Sequence, residues 1–181
     1  MAVSNGFKNQ IQNRNFLSPV GFKFTLNRAP KVSFFSNAAN IPGLTLGVAV
    51  QPSYLKDIDT PGDKIVFEDL SLRFLVDENL ENYMEIQNWI RGLGYPESLR
   101  EIYELQSQER YLNTLDSKMM DIYSDGNLEV LTSNMNTNFN VKFKDLFPYQ
   151  LSPLEFDATA TDVQYFTAEV SFKYTIYTIE I

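Results

Sequence analysis

The strongest constraint on the fold is a long alternation of apolar and polar residues near the C-terminus. Every second residue is apolar in the run Phe166, Ala168, Val170, Phe172, Tyr174 and Ile176. Because β-strand side chains point alternately to opposite faces, this pattern predicts a strand with one buried face. The phase reverses after this run, since Ile179 and Ile181 are odd-numbered. The reversal predicts either a bulge near Ile176–Tyr177 or a tip that packs against a neighbouring subunit.

Shorter alternations predict further strands. The predicted segments are 20–26, a returning strand Val32–Phe35 after a turn at 28–30, 44–50, Ile65–Val76, 119–124 and 128–132 around an Asp125-Gly126 hairpin turn, 139–143 ending at 146–148, and 154–160. The chain also contains 14 Phe and 10 Tyr, which favour strands. The fold class is therefore predicted to be mainly β.

One segment has helical rather than strand periodicity. Apolar residues recur at helical spacing over 78–91, Asp77 is a good N-cap, and Gly92, Gly94 and Pro96 favour termination. We expect one amphipathic helix there, packed across the open face of a sheet. The segment 97–118 is ambiguous and could contain a short helix.

The length of 181 residues fits one domain. We expect a flexible or partner-ordered N-terminal arm over 1–19 and a single β domain over 20–181. The domain includes an insertion-like segment at about 95–124. A polar loop is predicted over 51–64, between two strands.

The chain has no Cys and no His, which removes the usual nucleophiles, general bases and zinc ligands. Asp57, Asp59 and Asp63 could offer oxygen ligands to calcium, but their spacing does not match an EF-hand loop. Glu101, Glu104 and Glu109 are typical of a solvated helix face rather than a glycosidase pair. We therefore predict no catalytic, metal or cofactor-binding residues and no enzymatic activity.

The net charge is −8 and the sequence contains no basic run, so a nucleic-acid-gripping surface is not expected. An acidic surface would instead let a polyanion slide past. No segment approaches the ~20 apolar residues of a membrane span, and residues 1–15 lack the apolar core of a signal peptide. We expect a protein made in the cytoplasm that leaves it only within a larger particle.

These exclusions leave an interaction protein. The charged 51–64 loop and the long last strand are the features that favour contacts with other chains. The predicted interface residues are Tyr54, Lys56, Asp57, Asp59, Asp63, Lys64, Thr167, Glu169, Ser171, Lys173, Thr175 and Tyr177.

The order of motifs resembles the tail tube proteins of contractile-tailed bacteriophages, together with the related baseplate tube-initiator and tube-terminator proteins. The resemblance covers about 16–181. It rests on NFLSPVGFKFTL, FFSNAANIPG, DTPGDKIVFEDLSLRFLVDENL, YMEIQNWI, VKFKDLFPYQLSPLEFD and VQYFTAEVSFKYTIY, taken in that order. Each motif alone is weakly specific; the combination is fairly specific.

The resemblance implies a small β-barrel or sandwich with one packed helix, no cofactor and no catalysis. It implies six-membered rings that stack into a hollow tube inside a sheath, with sheath, baseplate and tail-terminator proteins as partners and DNA passing through the lumen. It places the protein in the virion tail, assembled in the host cytoplasm. Edge strands would join between subunits, and the 51–64 loop and the arm would contact neighbouring rings.

Three alternatives remain open at this point. The long segment 95–124 is compatible with a tube initiator or terminator rather than a tube subunit. A monomeric β-sandwich binding module, for example one that binds sugars, would need aromatic residues exposed in a groove. The tube of a secretion system or of a phage-tail-like bacteriocin would share the fold and the ring.

Overall fold

The computed structural model describes residues 16–19, 21–101, 122–156 and 165–180. Most of the predicted arm, most of the 97–118 segment and the end of the predicted strand 154–160 lie outside these residues.

The described part is mainly β, as predicted, with nine strands and two helices. In chain order these are β1 (Phe22–Leu26), α1 (Pro30–Phe34), β2 (Ser36–Ala39), β3 (Leu44–Gln51), β4 (Ile58–Phe67), β5 (Leu70–Leu75), α2 (Glu81–Gly94), β6 (Ser124–Leu131), β7 (Thr137–Leu151), β8 (Thr167–Lys173) and β9 (Ile176–Glu180).

Seven strands form one antiparallel sheet in the order β1-β6-β7-β8-β5-β2, and β9 also pairs with β7. The long strand β7 divides this sheet into two layers. Its first part pairs with β6 and β9, and its last part, Phe147–Leu151, pairs with β8. We call β1, β6, the first part of β7 and β9 the first layer, and the end of β7 with β8, β5 and β2 the second layer. Strands β3 and β4 form a separate two-stranded hairpin.

A single core joins both layers and α2. Its largest fully buried side chains are Trp89, Phe24, Phe74, Phe143, Phe172, Leu26, Leu70, Leu72, Ile86, Leu146, Val32 and Val141. Burial alternates strictly along β5 and β8, as expected for strands with one core-facing side. The sheet is open in the described residues, with β1 and β2 at its two ends, so the single chain does not close a barrel.

The predicted helix exists, but it begins at Glu81 rather than at residue 78, and Asp77 does not cap it. The N-cap is Leu80, in a left-handed conformation with φ 59°. The buried side chain of Asn82 fixes the entry to the helix: its Nδ2 donates to the Leu75 carbonyl at 2.7 Å, and its Oδ1 accepts from the Asp77 N–H at 3.2 Å. These bonds tie the first turn of α2 to the end of β5.

Two predicted hairpins are wrong. The segment predicted as a returning strand, Val32–Phe35, lies mostly in the one-turn helix α1, which begins at Pro30, where the fixed φ of proline suits the first helical position. The predicted turn Asp125-Gly126 lies inside β6. A Cβ at Gly126 would come within 2.5 Å of the Leu146 side chain, so this glycine permits close packing.

Other strand boundaries also differ from those predicted from the sequence. The predicted end of a strand at 146–148 is wrong, because β7 continues through Pro148 with an irregularity at Asp145, where φ is 57°. Residues 154–156 are not in a strand. The last strand does break, at 174–175, slightly before the predicted bulge. The predicted strand Ile65–Val76 is interrupted at 68–69.

Candidate interaction surfaces

The β3–β4 hairpin is a two-stranded ribbon with an apolar face open to solvent. Leu44, Leu46, Val48 and Val50 alternate along β3, and Ile65 pairs with Leu46; these five define the hairpin face. Their side chains are between 49% and 65% exposed. Isolated two-stranded ribbons are marginally stable in water, so an open apolar face on one indicates an incomplete contact.

The predicted 51–64 loop is mostly strand. Only residues 52–57 connect β3 to β4, and the predicted interface residues Tyr54, Lys56 and Asp57 lie in this connection. Asp59, Asp63 and Lys64 lie in β4. All six are exposed, and none of the charged ones forms an ion pair with another described residue.

The hairpin strands approach closely at two glycines. A Cβ on Gly62 would lie 2.6 Å from the Gly47 carbonyl oxygen, which is backbone and cannot rotate away. The register shift of the hairpin falls at the same place, between Leu46 and Val48. The sequence Pro61-Gly62 therefore lies at a bulge within β4 rather than in a loop.

The predicted interface residues of the last strand do not lie on a free backbone edge. β8 pairs with β5 on one side and β7 on the other. Thr167, Glu169, Ser171 and Lys173 point away from the core, so only their side chains are available to a partner.

Part of this row is already bound within the subunit. Glu169 accepts a hydrogen bond from Ser71, and Lys173 forms an ion pair with Asp69. The Tyr149 hydroxyl also donates to Asp69. The Lys173 ammonium and then the Tyr149 hydroxyl hold the pKa of Asp69 below its ordinary value. These contacts form a polar network on the outer side of the second layer.

Thr175 and Tyr177 flank the start of β9. The Thr175 N–H donates to the Lys144 carbonyl at 3.0 Å. Tyr177 is half-buried, and its hydroxyl donates to the Pro42 carbonyl at 3.1 Å. Its neighbour Tyr174 donates to the Glu68 carbonyl at 2.8 Å, and burial raises the pKa of Tyr174 to about 12. This aromatic cluster anchors the base of the hairpin.

The first layer has two edges without a strand partner in the described residues. β1 pairs only with β6, and β9 pairs only with β7. On β1, the Leu26 N–H is bound by the Ser33 hydroxyl at 2.8 Å. Since each neighbouring pair is antiparallel, β1 and β9 run in opposite directions. These edges were not identified from the sequence, because which strand becomes an edge depends on strand order.

The solvent side of the first layer is polar and nearly balanced in charge. Its three lysines are Lys23, Lys142 and Lys144, and its four carboxylates are Asp125, Glu129, Asp145 and Glu180. Lys142 and Glu180 form an ion pair at 2.6 Å, and Lys23 lies directly opposite Glu129. The acidity of the whole chain is therefore not concentrated on this face.

A second apolar surface lies where β5 ends and β2 and β8 begin. Its members are Phe34, Phe35, Leu75, Phe156 and Phe166, which we call the aromatic end patch. Phe34 and Phe156 are 82% and 77% exposed. Backbone bonds hold the patch together: Leu75 N–H donates to the Phe35 carbonyl, and Val76 N–H donates to the Phe166 carbonyl. All four aromatic residues fall in segments that were predicted to be strands. The Phe34-Phe35 doublet was the available signal of exposure, since adjacent strand residues cannot both face one core.

Within the described ranges, no group of three carboxylate side chains is close enough together to hold a metal ion. No helix in the same ranges is long and apolar enough to cross a membrane.

A family model for phage tail tube protein matches residues 2–180 of the chain. No curated protein sequence matches it. Among solved structures, a chain of the anti-feeding prophage baseplate, 6-fold symmetrised, is similar with a TM-score of 0.59 and 10% identity, over 93% of this chain and 97% of that one. A chain of the anti-feeding prophage tube-terminating cap has a TM-score of 0.57 and 13% identity, over 98% and 99%. A chain of the PVC sheath/tube terminator, from an extracellular contractile injection system, has a TM-score of 0.55 and 15% identity, over 93% and 100%. At these identities the likeness establishes a shared fold.

Proposed function

Since the chain belongs to the phage tail tube protein family, we propose that it is a tube subunit that forms six-membered rings, which stack into a hollow conduit inside a contractile sheath. Family membership makes it a structural protein of the tail-tube or baseplate kind, not an enzyme. The ring, the stack and the passage of DNA are the proposed part.

The observation that carries the ring is the pair of open edges on the first layer. β9 of one copy placed beside β1 of the next would continue the antiparallel pairing. Such a head-to-tail contact generates a ring when the rotation closes, and closure pairs both open edges of the first layer. The ring size of six follows the family resemblance, and the baseplate structure that shares this fold is itself 6-fold symmetrised.

In this ring the solvent side of the first layer lines the lumen. Its three lysines offset three of its four carboxylates, so the wall repels a polyanion only weakly over distances beyond the Debye length. The channel proposed here is therefore hydrated and only weakly acidic. DNA would slide along it with few lasting contacts.

The interfaces between rings would use the hairpin, whose exposed charged residues include Lys56, Asp57 and Asp59, together with the N-terminal arm. The outer side of the second layer, including Glu169 and Lys173, remains for sheath or neighbouring subunits. Baseplate and tail-terminator proteins would contact the two ends of the stack.

The test of the ring uses the absence of cysteine from the chain. A double variant, Lys23→Cys on β1 and Thr178→Cys on β9, places thiols on the same side of the two edges. Mild oxidation should give a series of disulfide-linked products that ends at the hexamer on a non-reducing gel. A second double variant, with Glu180→Cys in place of Thr178→Cys, tests another register of the β1–β9 pairing. Each single-cysteine variant is the control and should give no product beyond a dimer.

Electron microscopy and light scattering of the unmodified protein complete the test. Open-ended tubes support the proposed subunit. Single rings that never stack would assign the chain to a tube initiator or terminator instead. A monomer at every concentration, even with tail baseplates added as templates, would refute the ring and favour a binding module.

A further inference from the structure

The two exposed apolar surfaces lie at opposite ends of the second layer. The hairpin joins β5 at its first residues, where Glu68 N–H donates to the Gly43 carbonyl at 3.1 Å. The aromatic end patch lies beyond the last residue of the same strand, Leu75. The six residues of β5 span about 20 Å, so the two surfaces cannot meet without the hairpin folding back along its own subunit.

We infer that the hairpin face of one copy docks on the aromatic end patch of a second copy in the adjacent ring. This inference rests on the proposed tube and names the surface that receives the hairpin. Two complementary apolar surfaces at opposite ends of one subunit form a heterologous contact, which repeats along an axis instead of closing on itself. The aliphatic hairpin face and the aromatic patch suit each other, because cross-strand aliphatic and aromatic side chains pack well.

The buried area of this contact determines whether it can form between two free subunits or only between two rings. Burying one aliphatic side chain removes roughly 60–120 Å² of apolar surface from water, so five half-exposed side chains offer on the order of 250 Å². A stable interface of standard size buries about 800 Å² per partner. One hairpin face is therefore too small to hold two free subunits together. Six such contacts between two preformed rings act jointly, so stacking should follow ring formation.

The distribution of charge also favours docking of the hairpin face on the aromatic end patch of a second copy. The five residues of the hairpin face and the five of the patch are uncharged, and one carboxylate, Asp59, pairs with Val50 where the face meets the connection between the strands. Docking centred on Leu46, Val48 and Ile65 leaves Asp59 at the rim in water, which avoids the penalty of burying an unpaired charge. Lys56 and Asp57 lie in the connection, and Asp63 and Lys64 are exposed in β4.

The test separates stacking from ring formation. Val48→Lys places a charge on the hairpin face, and Phe34→Glu places one on the patch; both sites are exposed, so the subunit fold should be unaffected. Each variant should form rings, while the concentration at which rings stack rises by at least about tenfold. Thr45→Lys, on the opposite side of β3, is the matched control and should stack like the unmodified protein.

A disulfide bond between the two surfaces would report their contact directly. The double variant Val48→Cys with Phe34→Cys should form disulfides between rings on oxidation, giving products larger than a hexamer. Rings of Val48→Lys that stack at the unmodified concentration would overturn the docking inference alone. Absence of rings from the unmodified protein would instead overturn the tube proposal, and the docking inference with it.

Discussion

Asn82 should contribute far more to stability than any exposed asparagine on the same helix. Replacing Asn82 with Ala removes two hydrogen bonds, to the Leu75 carbonyl and the Asp77 N–H. Each is worth about 1 kcal/mol, and the partners left partly buried add about 1 kcal/mol more, for a loss of about 2–3 kcal/mol. Asn88→Ala, also on α2 but exposed, should gain about 0.5 kcal/mol from helix propensity.

The assay is urea and thermal unfolding at low protein concentration, followed by the fluorescence of Trp89, the single tryptophan, which is fully buried on the same helix. The difference of about 3 kcal/mol between the variants corresponds to roughly 6–12 °C in Tm for a domain of this size. If the free energies of unfolding of the two variants differ by less than about 0.5 kcal/mol, the two hydrogen bonds of Asn82 do not stabilise the start of α2, which would refute the prediction.

Three further predictions use single side chains. Burial raises the pKa of Glu85, so its charged form opposes folding at neutral pH. Glu85→Gln should therefore raise the free energy of unfolding at pH 7, and this gain should shrink as the pH falls toward 4.5. A gain that does not depend on pH would contradict the prediction. Spectrophotometric titration should show one tyrosine ionising near pH 12, absent from Tyr174→Phe; an unchanged titration curve would be the negative result. Gly62→Ala should impair stacking without unfolding the core, because its Cβ meets backbone at 2.6 Å, whereas Gly94→Ala, with open space around it, should be harmless or stabilising.

The sequence was sufficient wherever one face of a strand meets the core. Burial along β5 and β8 follows the alternation residue by residue, and the periodicity of α2 identified it as a helix. In these elements local pattern and tertiary environment agree, because the same apolar side chains define the element and fill the core.

Errors arose where tertiary contacts override local chemistry. Asp125-Gly126 has the composition of a turn, but Gly126 is needed inside β6 where the Leu146 side chain leaves no room for a Cβ. Pro61-Gly62 is likewise typical of a loop, but pairing with β3 extends β4 through it. Proline is tolerated there because a two-stranded ribbon leaves outer edges that need no N–H donor.

The candidate surfaces were only partly predictable for the same reason. The charged hairpin connection stood out in the sequence, and its residues are exposed in the structure; its role as an interface remains a prediction. The free edges of β1 and β9 and the aromatic end patch depend on strand order, which alternation does not encode. That β8 lies between two strands, rather than at an edge, is a property of the same order.

The sharing of β7 by both layers has a mechanical consequence. This strand exchanges backbone hydrogen bonds with β6, β9 and β8 along its 15 residues. A force that pulls one layer past the other along β7 would pass through this strand, and the bonds on each layer would share the load in shear rather than peel apart one after another. The chain should therefore resist load along β7 as a stiff unit, instead of deforming at the joint between its layers.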